Sequence, residues 1–148
     1  MAGPADPDKP DAITEVELDR ARDRAGVRFL GMHTEVERLY PAFDLYVLAS
    51  YREGFPRSAM EAAAMRLPLV LTDIRGCRQV VDHGRNGLLV PARDAAALAS
   101  AIGTLVSDPQ LRIAMGQASR VKALAEFDDR RQVQITLEVY RSLLGAGG

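Results

Sequence analysis

Two glutamates with seven residues between them, Glu53 and Glu61, flank a Gly54-Phe55-Pro56 turn in the stretch "EGFPRSAMEAAAM". The alanine-rich run after the turn has helical composition. A helix therefore starts near Arg57, and Glu61 lies about one turn inside it, roughly 6 Å deeper than its mouth. Proline has no N–H, so the donors at this mouth are the amides of Gly54, Phe55, Arg57 and Ser58. Such donors, with the positive end of the helix dipole, favour a phosphate, and a glycine lets it approach the backbone. Carboxylates at the two ends of a phosphate cradle are unsuited to the phosphate itself. They suit hydroxyl groups on either side of it, a sugar at one end and a ribose at the other, which is the pattern of a nucleotide-sugar. The same residues also fit a plain turn and a glutamate that complements the helix dipole, so spacing alone leaves both readings open.

The elements that would hold this mouth lie around it. "DLYVLAS" (44–50) and "LPLVLTD" (67–73) are near-continuous apolar runs, the composition of strands covered on both faces. "GLLVP" (87–91) is a third short run, entered through an Asn86-Gly87 turn, and "VRFLG" (27–31) has strand residues ending at a glycine. Residues 14–25 are charged and compatible with a helix. "HTEVERLYPAF" predicts a short helix with Thr34 as its N-cap and Pro41 near its end.

Three helices follow. Asp94 caps the first, which places Leu98, Ala101, Ile102, Leu105 and Val106 on one face. Asp108-Pro109 opens the second, with a stripe of Leu111, Ala114, Met115 and Ala118. The third begins near Asp128 and carries Val133, Leu137, Tyr140 and Leu144 at helical spacing. Met60 and Met65, with the alanines between them, recur at helical spacing and are expected in the core. The alternation of strands and helices means α/β with a parallel sheet and right-handed crossovers.

A chain of 148 residues fits one domain, and its formal net charge of −1 gives no global field that would favour nucleic acid or an anionic membrane. Cys77 is the only cysteine, so no intramolecular disulfide forms, and the histidines His33 and His83 build no zinc-spaced cluster. Cys77, in the loop after 67–73, reads as a small packed residue rather than a nucleophile. His33 reads as a surface loop residue. Arg75, Arg78 and Arg85 read as solvated charges, with Arg75 or Arg78 able to lean toward a phosphate. Nothing at the N-terminus resembles a signal peptide, and a cytoplasmic location is the expectation.

Taken whole, "DLYVLASYREGFPRSAMEAAAMRLPLVLTDIRGCRQVVDHGRNGLLVPARD" resembles the donor-binding half of glycosyltransferase family 4, the group 1 retaining glycosyltransferases of GT-B fold. The resemblance runs from about residue 2 to 144, and the glutamate pair is the family's mark. It implies a Rossmann-like parallel sheet, half of a GT-B fold, lacking its first strand. Residues 1–148 would then be a partial C-terminal nucleotide-sugar-binding domain, with 1–13 a loop and 128–144 its last helix. It implies Glu53 as the catalytic residue on hydroxyls of the donor sugar, and the amides around Gly54, Phe55, Arg57 and Ser58 on the sugar and diphosphate. Glu61 would take the ribose and Met32 would lie beside the base.

The donor would be a nucleotide-diphosphate sugar, with no metal or other cofactor expected. A hexose-type sugar would pass, with retention, to a polysaccharide or lipid-linked acceptor, the departing diphosphate being stabilised electrostatically. The full enzyme would sit peripherally at the inner membrane face. This sequence departs from the family at Arg66, where a small residue is usual, and at Gln79, where many members have glutamate. Set against the family, the N-terminal acceptor domain and the early basic pair that clamps the diphosphate are also expected to be absent. Little or no transferase activity is therefore expected from this chain alone. In GT-B enzymes the last helix crosses back onto the first domain; here it is expected to expose an apolar strip that promotes dimerisation, or to pack differently from its relatives. Other readings are a stand-alone nucleotide-sugar-binding module, a non-catalytic gene fragment, and a sugar-nucleotide epimerase, which the glutamate pair fits less well than transfer.

Overall fold

The computed structural model describes residues 14–145, so the loop expected over 1–13 lies outside the described residues. The chain forms two units, Met1–Arg38 and Leu39–Gly148. In the first, α1 (Glu15–Ala25) opens with a reciprocal cap. The Thr14 amide donates to Glu17 Oε2 at 2.9 Å, and the Glu17 amide donates to Thr14 Oγ1 at 3.4 Å. Gly26, at φ 60°, ends the helix in the left-handed conformation. Residues 27–31 form no strand, against the expectation: strand composition needs a neighbouring ladder, and none is made to this segment among the described residues.

The helix expected over 33–43 is also corrected. It is two separate 3-10 turns, Val36–Arg38 in the first unit and Tyr40–Ala42 in the second, and Thr34 caps neither. Pro41 sits in the first turn of the second, where its missing N–H cannot carry a helical ladder back to the residues of the first.

The second unit is built on a three-stranded parallel sheet of β1 (Tyr46–Leu48), β2 (Leu69–Thr72) and β3 (Gly87–Val90), in the order β1-β2-β3. Tyr46 pairs with Leu69, and Leu69 with Gly87. The connections are α2 (Arg57–Ala64) and α3 (Arg75–Val80), followed by α4 (Ala95–Ser107), α5 (Pro109–Glu126) and α6 (Asp129–Gly145). α3 replaces the loop expected after 67–73, since six residues are too few to show a helical period. Of the two runs expected to be covered on both faces, only the central β2 is. The edge strand β1 leaves Val47 36% exposed.

Val70 and Val90 pack with Ala101 and Leu105 of α4 and Met115 of α5. Successive strand residues face opposite ways, so Leu69 and Leu71 bury the other face, and α2 packs on β1 and β2. The Asp94 and Asp108 caps form as the sequence predicts, each accepting from an amide three residues on. Met65 is exposed, however, against its expected core position, and so are Val106 and Ala114 at the margins of their expected apolar faces. In α5 the buried line runs through Met115, Gly116, Ser119 and Ala123. Small residues set that line because α5 approaches the turn after α2 so closely that a Cβ on Gly116 would collide with the Arg66 carbonyl oxygen. The apolar residues of α6, Val133, Leu137, Tyr140 and Leu144, are 40% to 82% exposed. Among the described residues, no helix is long and apolar enough to cross a membrane.

Candidate functional site

Beyond Leu48 the chain turns over the carboxyl edge of the sheet before α2 begins at Arg57. The start of this loop is pinned to β2. The Ser50 amide donates to Thr72 Oγ1 at 3.2 Å, and the buried Thr72 hydroxyl donates to the Ser50 carbonyl at 2.6 Å. Its end is pinned by buried Pro56 and by Phe55, whose ring meets Phe127 edge-on with centroids 5.7 Å apart. Between these points α3 presses against the loop. A Cβ on Gly76 would collide with the Glu53 carbonyl oxygen and stand 2.7 Å from that of Gly54. Gly76 is thus the residue that lets Glu53 sit where it does.

Pro56 begins α2 without any side-chain cap. Its carbonyl accepts from the Ala59 and Met60 amides at 3.1 and 3.2 Å. Among the described residues, the amides of Gly54, Phe55, Arg57 and Ser58 find no protein acceptor. Gly54 faces open space, since a Cβ there would meet nothing within 4 Å. A row of unused donors therefore runs from the half-buried Glu53 to the first turn of α2, and Glu61 follows one turn later.

Two tyrosines back this segment. The hydroxyl of buried Tyr40 lies 3.0 Å from Glu61 Oε2 and 3.1 Å from the Ser58 carbonyl oxygen. The Tyr46 hydroxyl donates to Ser58 Oγ at 2.7 Å. Burial pushes the Tyr40 phenol far above its usual range, and the hydrogen bond and charge of Glu61 push it further. Burial also raises the Tyr46 phenol. Its bond to Ser58 opposes the rise, while the charges of Glu53 and Glu61 add to it. The charges of both carboxylates thus bear on the Tyr46 phenol. Burial, then the Glu53 charge, raises the Cys77 thiol and keeps it protonated, in line with a packed residue rather than a nucleophile.

Glu61 also borders a groove of about 610 Å³ beside α2, lined by Arg57, Met60, Arg120, Phe127 and Arg130. Glu53 and Gly54 lie outside that groove, so the two carboxylates open onto different surroundings. Met32 belongs to the first unit, where it is 71% exposed. Arg78 leans onto Asp73, with Nε 2.6 Å from Oδ1, while Arg75 and Gln79 are exposed. Nothing local in the sequence marks Tyr40, Tyr46 or Gly76 as parts of this site. Tyr40 is 21 residues from its carboxylate partner, a separation with no local signal.

A parallel α/β sheet with this loop and helix at its carboxyl edge places the chain in the class of GT-B glycosyltransferase folds. Sucrose-phosphate synthase from Thermosynechococcus elongatus matches with a TM-score of 0.85 at 28% identity, over 99% of this chain and 38% of that one. The Anabaena protein HepE in complex with UDP-glucose matches with a TM-score of 0.85 at 28% identity, over 95% of this chain and 40% of that one. Residues 1–108 match the family described as glycosyl transferases group 1, and the chain belongs to that family. It is 36% identical over 92% of its length to a D-inositol 3-phosphate glycosyltransferase of Corynebacterium urealyticum, of which it covers 32%. The chain spans about a third of the length of the curated relatives it matches.

Proposed function

We propose that this chain is the donor-binding part of a retaining glycosyltransferase and holds a nucleotide-diphosphate sugar at the mouth of α2. The observation that carries this reading is the set of four unused amides lying between two carboxylates on a loop pinned at both ends. In it, Glu53 is the catalytic residue and meets hydroxyls of the donor sugar. The amides of Gly54, Phe55, Arg57 and Ser58, with the helix dipole, take the diphosphate. Glu61 accepts from the ribose. Amides and dipole supply the charge stabilisation that the leaving diphosphate needs, so the reading calls for no metal. The complex of HepE with UDP-glucose supports a uridine donor and a hexose-type sugar.

A polysaccharide or lipid-linked acceptor would be held by a further domain or a second copy, for which the exposed apolar strip of α6 is the docking face. By itself the chain then binds donor and transfers little. Calorimetric titration with uridine and guanosine diphosphates and their sugar conjugates tests this reading. Saturable binding is expected, weakened about tenfold or more by Glu61→Ala, the loss of a charge-assisted hydrogen bond. A folded chain that binds none of these at millimolar concentration would overturn it.

A further inference from the structure

We infer that Tyr40 is a positioning residue for ribose recognition, its hydroxyl holding the Glu61 carboxylate by Oε2 so that Oε1 is presented to a nucleoside diphosphate. The inference rests on the donor-site reading above and adds a residue to it. A glutamate on the exposed side of a helix samples several rotamers, and fixing one for a ligand costs entropy. Here the cost is met before any ligand arrives. The Tyr40 ring is buried, edge-on to Phe43 and tilted against Tyr46, with both centroids 6.3 Å away.

Its hydroxyl has one proton, shared between the Ser58 carbonyl at 3.1 Å and Glu61 Oε2 at 3.0 Å, and the charged acceptor draws the stronger bond. The two acceptors are three residues apart on α2, so one phenol ties both the helix backbone and the carboxylate to the turn at Tyr40–Ala42. Among the described residues, Glu61 Oε1 receives no hydrogen bond and is free to accept from a hydroxyl. A purely structural tyrosine would pack the same ring, so the distinguishing evidence must come from the hydroxyl and from its dependence on Glu61.

The test compares the unaltered chain, Tyr40→Phe, Glu61→Ala and the double variant in calorimetric titrations with uridine diphosphate and its 2′,3′-dideoxy analogue. Tyr40→Phe should weaken uridine diphosphate about three- to tenfold, leave the dideoxy analogue unchanged, and cost nothing further once Glu61 is alanine. Equal weakening of both ligands, or a loss that persists in the Glu61→Ala background, would overturn the inference and leave the donor site standing. Uridine diphosphate binding that Glu61→Ala does not weaken would sink the donor-site reading, and this inference with it, without reference to any Tyr40 variant.

Discussion

The two ends of α2 are finished differently, although both are held within one short connection between neighbouring strands. At the C-terminal end the carbonyls are used. Met65 donates to Glu61 and Ala62, Arg66 to Ala63, and Leu67 to Ala62, while Arg120 Nη1 reaches the Ala64 oxygen at 2.6 Å. At the N-terminal end Pro56 offers no side-chain cap, and four amides around it find no protein acceptor. Thr14 caps α1, Asp94 caps α4 and Asp108 caps α5 with their side chains, whereas the short α3 begins at Ile74 without one, as α2 does at Pro56. Water satisfies exposed amides, so the open mouth is cheap for the fold and says little by itself. What sets it apart is the rigidity behind it, because unsatisfied loops are usually loose, and this one is clamped by Thr72, Phe127 and Gly76.

The comparison breaks first at that clamp. Gly76→Ala puts a methyl group into two backbone carbonyls that cannot turn away. It should cost about 2–3 kcal/mol in a urea unfolding curve and lower nucleotide affinity with it. An unchanged midpoint would show that α3 simply shifts outward and does not fix Glu53. Gly54→Ala tests the opposite kind of glycine. Its Cβ meets nothing, so stability should stay within about 0.5 kcal/mol while uridine diphosphate affinity falls about tenfold, the methyl standing where the ligand approaches. Comparable losses in both measurements would make Gly54 a residue of the fold. Arg120→Ala then opens the finished end, leaving the Ala64 carbonyl to water, and should cost about 1 kcal/mol of stability.

Much of this was legible in the residues. Glu53 and Glu61 are close in sequence, so their relation to the helix mouth follows from helical geometry alone, and the aspartate caps announce α4 and α5. The central strand shows in the unbroken apolar run 67–73, because burial on both faces removes the alternation. What stayed hidden depends on distant partners. Residues 27–31 have strand composition but no ladder, and α3 is shorter than two turns. Tyr40 in "RLYPAF" looks like any aromatic beside a proline until the fold brings it to Glu61. Val106 and Ala114 fail for a related reason, since which edge of a helical stripe is buried is set by the neighbour it meets, as Gly116 does for α5.

The smallest expected effect is also a test of how completely the C-terminal end of α2 is built. Arg66 closes it at φ 64°, a conformation that costs a side-chain-bearing residue about 1 kcal/mol and glycine almost nothing. The turn has no room to relax, because Gly116 of α5 lies against the Arg66 carbonyl oxygen. Arg66→Gly should therefore raise stability by about 0.5 kcal/mol, the relieved strain exceeding the extra freedom glycine brings to the unfolded chain. Arg93 is the matched control, left-handed at φ 63° but with its guanidinium 5.2 Å from the centre of the Tyr51 ring. Replacing it with glycine relieves the same strain and loses a cation–π contact of about 0.5–1 kcal/mol, so no net gain should appear. If both substitutions stabilise equally, the Tyr51 contact contributes nothing. If neither does, the turn after α2 has yielded, and its close contact with α5 is softer than the geometry implies.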